Sequence, residues 1–212
     1  MNDGIKILIA DDHSTIRTGL KHILSHAFSN VTFGEAITGS ETLKKISGGD
    51  WDLVILDINM PGKDGLEVLT EIKENDYSVR VLILSMYTED QFSVRCIKAG
   101  AFGYLSKTAD DKQIVEAVQT ILNGRKYISP DVAQLLSIEL VQGHEGQPHE
   151  YLSDRELQTF LKIAVGKSVT KVADELNLSV STVNTYRFRV FKKMNAKSNA
   201  DLIRYALDNK LI

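Results

Sequence analysis

Apolar residues recur along the chain in two alternating periods. Short β-branched and aliphatic runs fall at residues 5–10, 31–36, 53–57, 79–85 and 103–106, and the longer stretches between them, 14–25, 40–46, 65–74, 89–99 and 110–123, carry apolar positions three and four apart. Runs such as Leu53-Val54-Ile55-Leu56 and Val81-Leu82-Ile83-Leu84 show no polar alternation, so both of their faces are expected to be buried. The pattern predicts five β/α units in an α/β fold, a doubly wound five-stranded parallel sheet with helices on both faces.

Beyond Gly124 the period changes. Ser129-Pro130 opens a short helical stretch over 131–141, and Gln142-Gly143-His144-Glu145-Gly146-Gln147-Pro148-His149 is polar and without period, the composition of a flexible linker. From Leu152 onward every segment is helical. Ser153 with Glu156 three residues on forms a capping box for a helix to Gly166; Ser168, Ser179 and Ser198 begin three more, to about Leu176, Met194 and Asn209. The expected organisation is an α/β domain at 1–127, a linker with a short helix at 128–149 and a small four-helix domain at 150–212.

A chain of 212 residues exceeds one average domain, which agrees with a single boundary. Hydrophobic content of 43% with 25% charged residues excludes disordered and fibrous classes. Cys96 is the sole cysteine, so an internal disulfide and multi-cysteine metal sites are excluded, as suits a reducing compartment. The N-terminal run is too short and wrongly flanked for a signal peptide, and no apolar run is long enough to span a bilayer, so a soluble cytoplasmic protein without a membrane partner is expected. The net charge of −3 conceals −8 over residues 1–150 and +5 over 151–212. An acidic module that holds a cation is thus joined to a basic module suited to a polyanion.

Ligands of parallel α/β sheets sit at the C-terminal strand ends. There the chain offers Asp11 and Asp12 after the first strand, Asp57 after the third, Ser85 after the fourth and Lys107 after the fifth. Three carboxylates gathered at one edge repel one another unless a cation lies among them, and hard oxygen ligands suit Mg²⁺. A lysine and a serine hydroxyl supply the remaining groups needed around a phosphoryl oxygen. Phosphoryl chemistry on a carboxylate is the expectation.

The motifs Ile9-Ala10-Asp11-Asp12-His13, Val54-Ile55-Leu56-Asp57-Ile58-Asn59-Met60-Pro61-Gly62-Lys63-Asp64-Gly65, Ile83-Leu84-Ser85 and Gly103-Tyr104-Leu105-Ser106-Lys107 closely resemble the receiver domain of bacterial two-component response regulators, over about residues 4–125. The resemblance implies Asp57 as phosphoacceptor, and Asp12, Asp57 and the main-chain carbonyl of Asn59 as Mg²⁺ ligands, with Asp11 assisting through water. It implies that Lys107 pairs with the phosphoryl group, that Ser85 bonds it, and that Tyr104 is the switch whose ring position responds. Asn59 and Tyr87 would flank the path of attacking water and set the phosphoryl lifetime. One departure is Thr108, where many receivers carry proline after the lysine; a cis bond costs several times more before Thr. His13, His22, His26, His144 and His149 show no ligand spacing that would by itself establish a metal site, and are read as ordinary surface or capping residues.

In the basic module, two helices joined at Asn177-Leu178-Ser179 suggest a helix-turn-helix whose second helix enters a major groove of double-stranded DNA. With Val183 inward, a rotation of about 100° per residue places Val190 and Met194 inward too, and Ser181, Asn184, Thr185, Phe188, Arg189 and Lys192 toward the groove. Thr182 at the helix start, Arg187 and Lys193 complete the candidate contacts. Asn184 suits adenine, Arg189 guanine or phosphate, Thr185 and Phe188 a thymine methyl, and Lys192 phosphate.

Leu152-Ser153-Asp154-Arg155-Glu156, Ala164-Val165-Gly166-Lys167-Ser168, Val172-Ala173-Asp174-Glu175-Leu176-Asn177-Leu178-Ser179, Thr182-Val183-Asn184-Thr185-Tyr186-Arg187 and Arg204-Tyr205-Ala206-Leu207 closely resemble the LuxR-type DNA-binding domain. That resemblance implies a dimer contact through the fourth helix, for which Leu202, Ile203 and Ala206 are suited; the same residues equally suit closure of the domain core. Asn184 and Tyr186 stand where relatives often have Lys and His, so base preference does not carry over. The two resemblances in this order imply a NarL/FixJ-class regulator, phosphorylated by a sensor histidine kinase, with phosphorylation promoting dimerisation and/or release of the DNA-binding domain, and dimeric when phosphorylated or on DNA. It would be no enzyme beyond its own phosphoryl transfer and slow autodephosphorylation. Two alternatives are an aspartyl-phosphate phosphohydrolase and a regulator whose receiver only dimerises or binds another ligand. The first is disfavoured because its nucleophile belongs on the first strand with an acid two residues on, where Asp57 is followed by Asn59.

Overall fold

The structure, a computed structural model, describes residues 4–142 and 147–212. The chain separates into two compact units, Met1–Ser137 and Ile138–Ile212. In the first, five strands alternate with five helices: β1 Ile5–Ala10, α1 Ser14–Ala27, β2 Val31–Ala36, α2 Gly39–Ser47, β3 Leu53–Leu56, α3 Gly65–Glu74, β4 Arg80–Ser85, α4 Glu89–Ala99, β5 Gly103–Ser106 and α5 Asp111–Leu122. All pairings are parallel, and the spatial order is β2-β1-β3-β4-β5.

Side chains alternate across the sheet, and this decides which helices cover which face. Ile7 and Ile9 of β1, Leu53 and Ile55 of β3, Leu82 and Leu84 of β4 and Leu105 of β5 pack with Leu20 and Leu24 of α1 and Ile114, Ala117, Val118 and Ile121 of α5. The intervening residues, among them Leu8, Val54, Leu56 and Ile83, are equally buried and point to the other face, where α2 touches β1 and α4 touches β5. Full burial of each such side chain contributes about 1.5–3 kcal/mol. Helix starts are set locally: Thr38 accepts from the Glu41 N–H, and Asp64 and Asp110 form capping boxes with Glu67 and Gln113.

The strand order reverses at β1, whose successor β2 lies on one side and β3 on the other. The connections leave in opposite directions there, which opens a crevice above the C-terminal ends of β1 and β3. β3 closes one residue earlier than its apolar run suggests. Asp57 still continues its line, since its N–H donates to the Ala10 carbonyl at 2.8 Å. Among the described residues no peptide bond is cis, so the Lys107–Thr108 bond is trans.

The boundary between the units falls within α6, Pro130–Gln142, the helix expected in the linker. Of that linker, residues 143–146, His144 included, lie outside the described residues, and Pro148–Tyr151 forms a 3-10 turn. Four helices follow: α7 Asp154–Ala164, α8 Val169–Leu176, α9 Val180–Met194 and α10 Asn199–Asp208. Leu157, Phe160, Leu161, Val172, Leu176, Val183 and Val190 form their core. Leu202 and Ala206 of α10 are completely buried in the chain itself and therefore close this core. They are not available as the dimer contact; Ile203 is half-buried and Leu207 exposed.

Candidate metal centre and nucleic-acid interface

The crevice over β1 and β3 collects the acidic residues. Asp11 and Asp57 are each 2% exposed, and the Lys107 ammonium bridges them, 2.6 Å from Asp11 Oδ2 and 2.8 Å from Asp57 Oδ2. Lys107 reaches this point because its own N–H donates to the Ser85 carbonyl at 2.7 Å, which holds the end of β5 beside β4. Three carboxylates against one ammonium leave an excess of negative charge. Asp57 Oδ1 is buried without a hydrogen-bond partner, a costly state for a carboxylate oxygen unless a cation or a proton meets it.

Electrostatics agree with the geometry. Burial raises the Asp57 pKa above the usual aspartate range; Lys107 works against that rise, Asp11 adds to it, and the nearby Asn59 N–H, which does not reach hydrogen-bonding geometry, opposes it slightly. The Lys107 ammonium is also buried, which on its own disfavours its charge, but Asp57 and Asp11 together hold its pKa above the ordinary lysine value.

His13 joins this group, which its reading as a surface or capping residue did not anticipate. It occupies the N-cap position of α1 with an exposed side chain, yet its Nδ1 lies 3.2 Å from Asp11 Oδ1 and 2.7 Å from Asp12 Oδ1. The second approach is close enough for ion pairing but is not aligned as a hydrogen bond. One ligand atom from each of Asp11, Asp12, His13 and Asp57 lies within 4.8 Å of the others. The signal available in the sequence was its place directly after Asp11-Asp12 at a strand end.

The loop after β3 is shaped to stay clear of Asp57. A Cβ on Gly65 would stand 2.2 Å from the Asp57 carbonyl oxygen, so only glycine lets α3 start there, and Gly62 takes a φ of +75° that side chains disfavour. At the neighbouring strand end, Ser85 is fully buried and its Oγ accepts from the Tyr87 N–H at 3.2 Å. The Tyr104 ring is 1% exposed and its hydroxyl donates to the Tyr87 carbonyl at 2.8 Å. Ser85 and Tyr104 thus hold the N–H and the carbonyl of one residue. The Tyr87 ring packs against Phe92, centroids 4.5 Å apart.

In the helical unit, α8 ends on Asn177 in the left-handed region, φ 53°, and Ser179 caps α9 by accepting from the Thr182 N–H at 3.0 Å. Val183 and Val190 are buried while Ser181, Asn184, Thr185, Phe188, Arg189 and Lys192 are all exposed, so the expected groove face is a solvent face. Phe188 is 69% exposed. The three remaining candidates are engaged inside the domain. The Thr182 hydroxyl lies 2.7 Å from Ser179 Oγ; Arg187 Nε donates to Asn199 Oδ1 at 3.0 Å, with its guanidinium over the Phe191 ring; Lys193 Nζ pairs with Glu156 at 2.6 Å.

A parallel sheet with an acidic crevice, joined to a helix-turn-helix, defines a signal-receiving DNA-binding protein. Residues 7–119 match the family described as response regulator receiver domain, and residues 150–206 match the bacterial regulatory proteins of the luxR family. The chain belongs to the NarL/FixJ-family response regulators, DNA-binding regulators of two-component systems in which a phosphorylation switch is typical. It is 35% identical to the response regulator UvrY of Escherichia coli K12 over 208 residues, 98% of this chain and 95% of that one. To GacA of Pseudomonas syringae pv. syringae it is 35% identical over 209 residues, 98% of each. Its fold is similar to RcsB of Salmonella enterica serovar Typhimurium, solved bound to a promoter with phosphomimetic BeF₃⁻, with a TM-score of 0.64 at 22% identity over 95% of this chain and 98% of that one. Among the described residues no helix is long and apolar enough to cross a membrane.

Proposed function

We propose that Asp57 is the phosphoacceptor, that Mg²⁺ is the cation of the acidic crevice, that the protein is cytoplasmic, and that phosphorylation by a sensor histidine kinase promotes dimerisation on DNA, release of the DNA-binding domain, or both. The observation that carries this reading is the Asp57 carboxylate, buried, with one oxygen on Lys107 and the other unpartnered beside Asp11 and Asp12. In the transfer, a carboxylate oxygen of Asp57 attacks the phosphorus of a phosphohistidine. The P–N bond breaks, its electron pair returns to the imidazole, and an acyl phosphate forms.

Asp11, Asp12, Asp57 and the main-chain carbonyl of Asn59 would hold Mg²⁺, which neutralises charge on phosphoryl oxygens when bound. Lys107, already at bonding distance, follows the new oxygens without leaving the site. The Ser85 hydroxyl turns from the Tyr87 N–H to the phosphoryl group, and the N–H it releases belongs to the residue whose carbonyl the Tyr104 hydroxyl holds. This gives the expected Ser85-to-Tyr104 relay an atomic path. Asn59 and Tyr87 flank the acyl phosphate and govern its hydrolysis, the chain's only other chemistry. Two linked DNA-binding modules then gain by effective concentration what one module lacks.

Intact-mass spectrometry with Mg²⁺ and a small-molecule phosphodonor tests the reading. The wild type gains one phosphoryl group and shifts to a dimer in size exclusion, and Asp57→Ala does neither. An unmodified wild type overturns the phosphoacceptor assignment; a modified monomer that stays monomeric on operator DNA overturns the dimer.

A further inference from the structure

The solvent face of α1 carries two imidazoles that phosphoryl transfer leaves unused. We propose that His22 and His26 form a bidentate site for a borderline divalent transition ion, of which Zn²⁺ is the representative. Their spacing of four puts both rings on one helix face, the relation by which paired helical histidines share a zinc ion. The ring centroids are 4.4 Å apart and tilted by 59°, so the two rings lie side by side on that face.

One ring is also held in a ligating tautomer. His26 Nδ1 lies 2.8 Å from the main-chain oxygen of His22, and a carbonyl only accepts, so Nδ1 carries the proton. In the neutral ring Nε2 then keeps its lone pair, the arrangement in which histidine binds metal. Leu20 and Leu24 turn inward to the core, which leaves the pair open to solvent, and water can complete a tetrahedral shell. The cations of this helix are drawn elsewhere: Arg17 and Lys21 both bind Glu35 of β2, at 2.7 and 2.6 Å. Ser14, Thr15, Thr18 and Gly19, all small and uncharged, line a shallow open groove together with His22.

The site differs in kind from the acidic crevice. Imidazole nitrogens favour Zn²⁺, Ni²⁺ or Cu²⁺, whereas carboxylate oxygens favour Mg²⁺. A metal here clips one turn of α1 and slows its local opening.

Calorimetric titration of the full chain with Zn²⁺ in saturating Mg²⁺, read together with ¹H–¹⁵N imidazole spectra, tests this. Gln is a good helix former, so His22→Gln, His26→Gln and the double variant retain the fold. One Zn²⁺ binds the wild type and moves the Nε2 resonances of both rings; each single variant binds about tenfold or more weakly, as loss of a chelating partner requires. Unchanged affinity in the double variant overturns the proposal. So does affinity lost instead in His13→Gln or Asp57→Asn, which places the ion in the acidic crevice, or in His149→Gln.

Discussion

Single residues in this chain show how one side chain's surroundings decide its role. Asp57 and Lys107 are ordinary ionisable groups whose charges are forced into a buried space, and one Asp57 oxygen is left there without a hydrogen-bond partner, the feature on which the proposed phosphoacceptor role rests. Phe188 is the opposite case, a large apolar ring kept in solvent on the face expected to read DNA. The contact expected of it is a thymine methyl. On a duplex selected from a random-sequence library, replacing the facing dT with dU should weaken wild-type binding by about 3–10-fold, the value of one buried methyl group at about 0.8 kcal/mol or somewhat more. The same change should leave Phe188→Ala binding unaltered, and equal losses in both proteins would refute the contact. That α9 presents this face was legible from Val183 and Val190 seven residues apart. That Arg187 and Lys193 are turned to Asn199 and Glu156 was not, because their partners come from α10 and α7, and helical period says nothing of neighbours.

At the scale of elements, the helix starts were the most legible features. Ser or Asp followed three residues later by Glu, Gln or Asp recurs at Asp64, Asp110, Ser153 and Ser198, and each starts a helix in the structure. Capping is a contact within four residues, so a sequence window contains all of it. Glu156 also makes a long-range contact that no window contains. Burial disfavours its charge, yet the Lys193 ammonium and the Ser153 N–H prevail and hold its carboxyl below the ordinary glutamate range. A depressed folded-state pKa stabilises α7 and α9 fully above the unfolded value of about 4.3, and the benefit is lost as pH falls through the lower folded value. The urea midpoint of the C-terminal unit, followed by its resolved NMR resonances, should therefore drop as pH falls below about 4.3. Glu156→Gln should lower the midpoint at pH 7 and flatten that acid drop. An equally steep drop in the variant would assign the acid sensitivity to another carboxylate, such as Glu175 between Lys162 and Lys167.

At the scale of the whole molecule, charge is divided between the two modules, with net −8 over residues 1–150 and net +5 over the rest. An acidic receiver concentrates cations, and a basic module concentrates on DNA by releasing counterions. Lys192 is exposed on α9 and contacts phosphate in the proposed complex. Lys192→Gln should then lower the slope of log affinity against log salt by about 2 when two modules bind and by about 1 when one does. Measured with and without phosphodonor, a decrease of about 2 confined to the phosphorylated protein supports the dimer; a decrease of about 1 under both conditions speaks against it.

Taken by itself, the sequence determined the five β/α units, the four helices after them, the caps and the sign of charge of each domain. These depend on periodicity, on contacts within a turn and on composition, all of which are local. The tertiary structure decided which charges meet. Asp11, Asp57 and Lys107 follow one another at intervals of roughly fifty residues, and the Lys107 ammonium comes within 2.6–2.8 Å of both carboxylates only because β1, β3 and β5 lie parallel with their ends aligned. It likewise drew His13 into the acidic crevice and buried Leu202 and Ala206 in the core of their own domain. An apolar residue in sequence announces that it will be covered. What covers it depends on the packing of whole helices, which only the folded chain specifies.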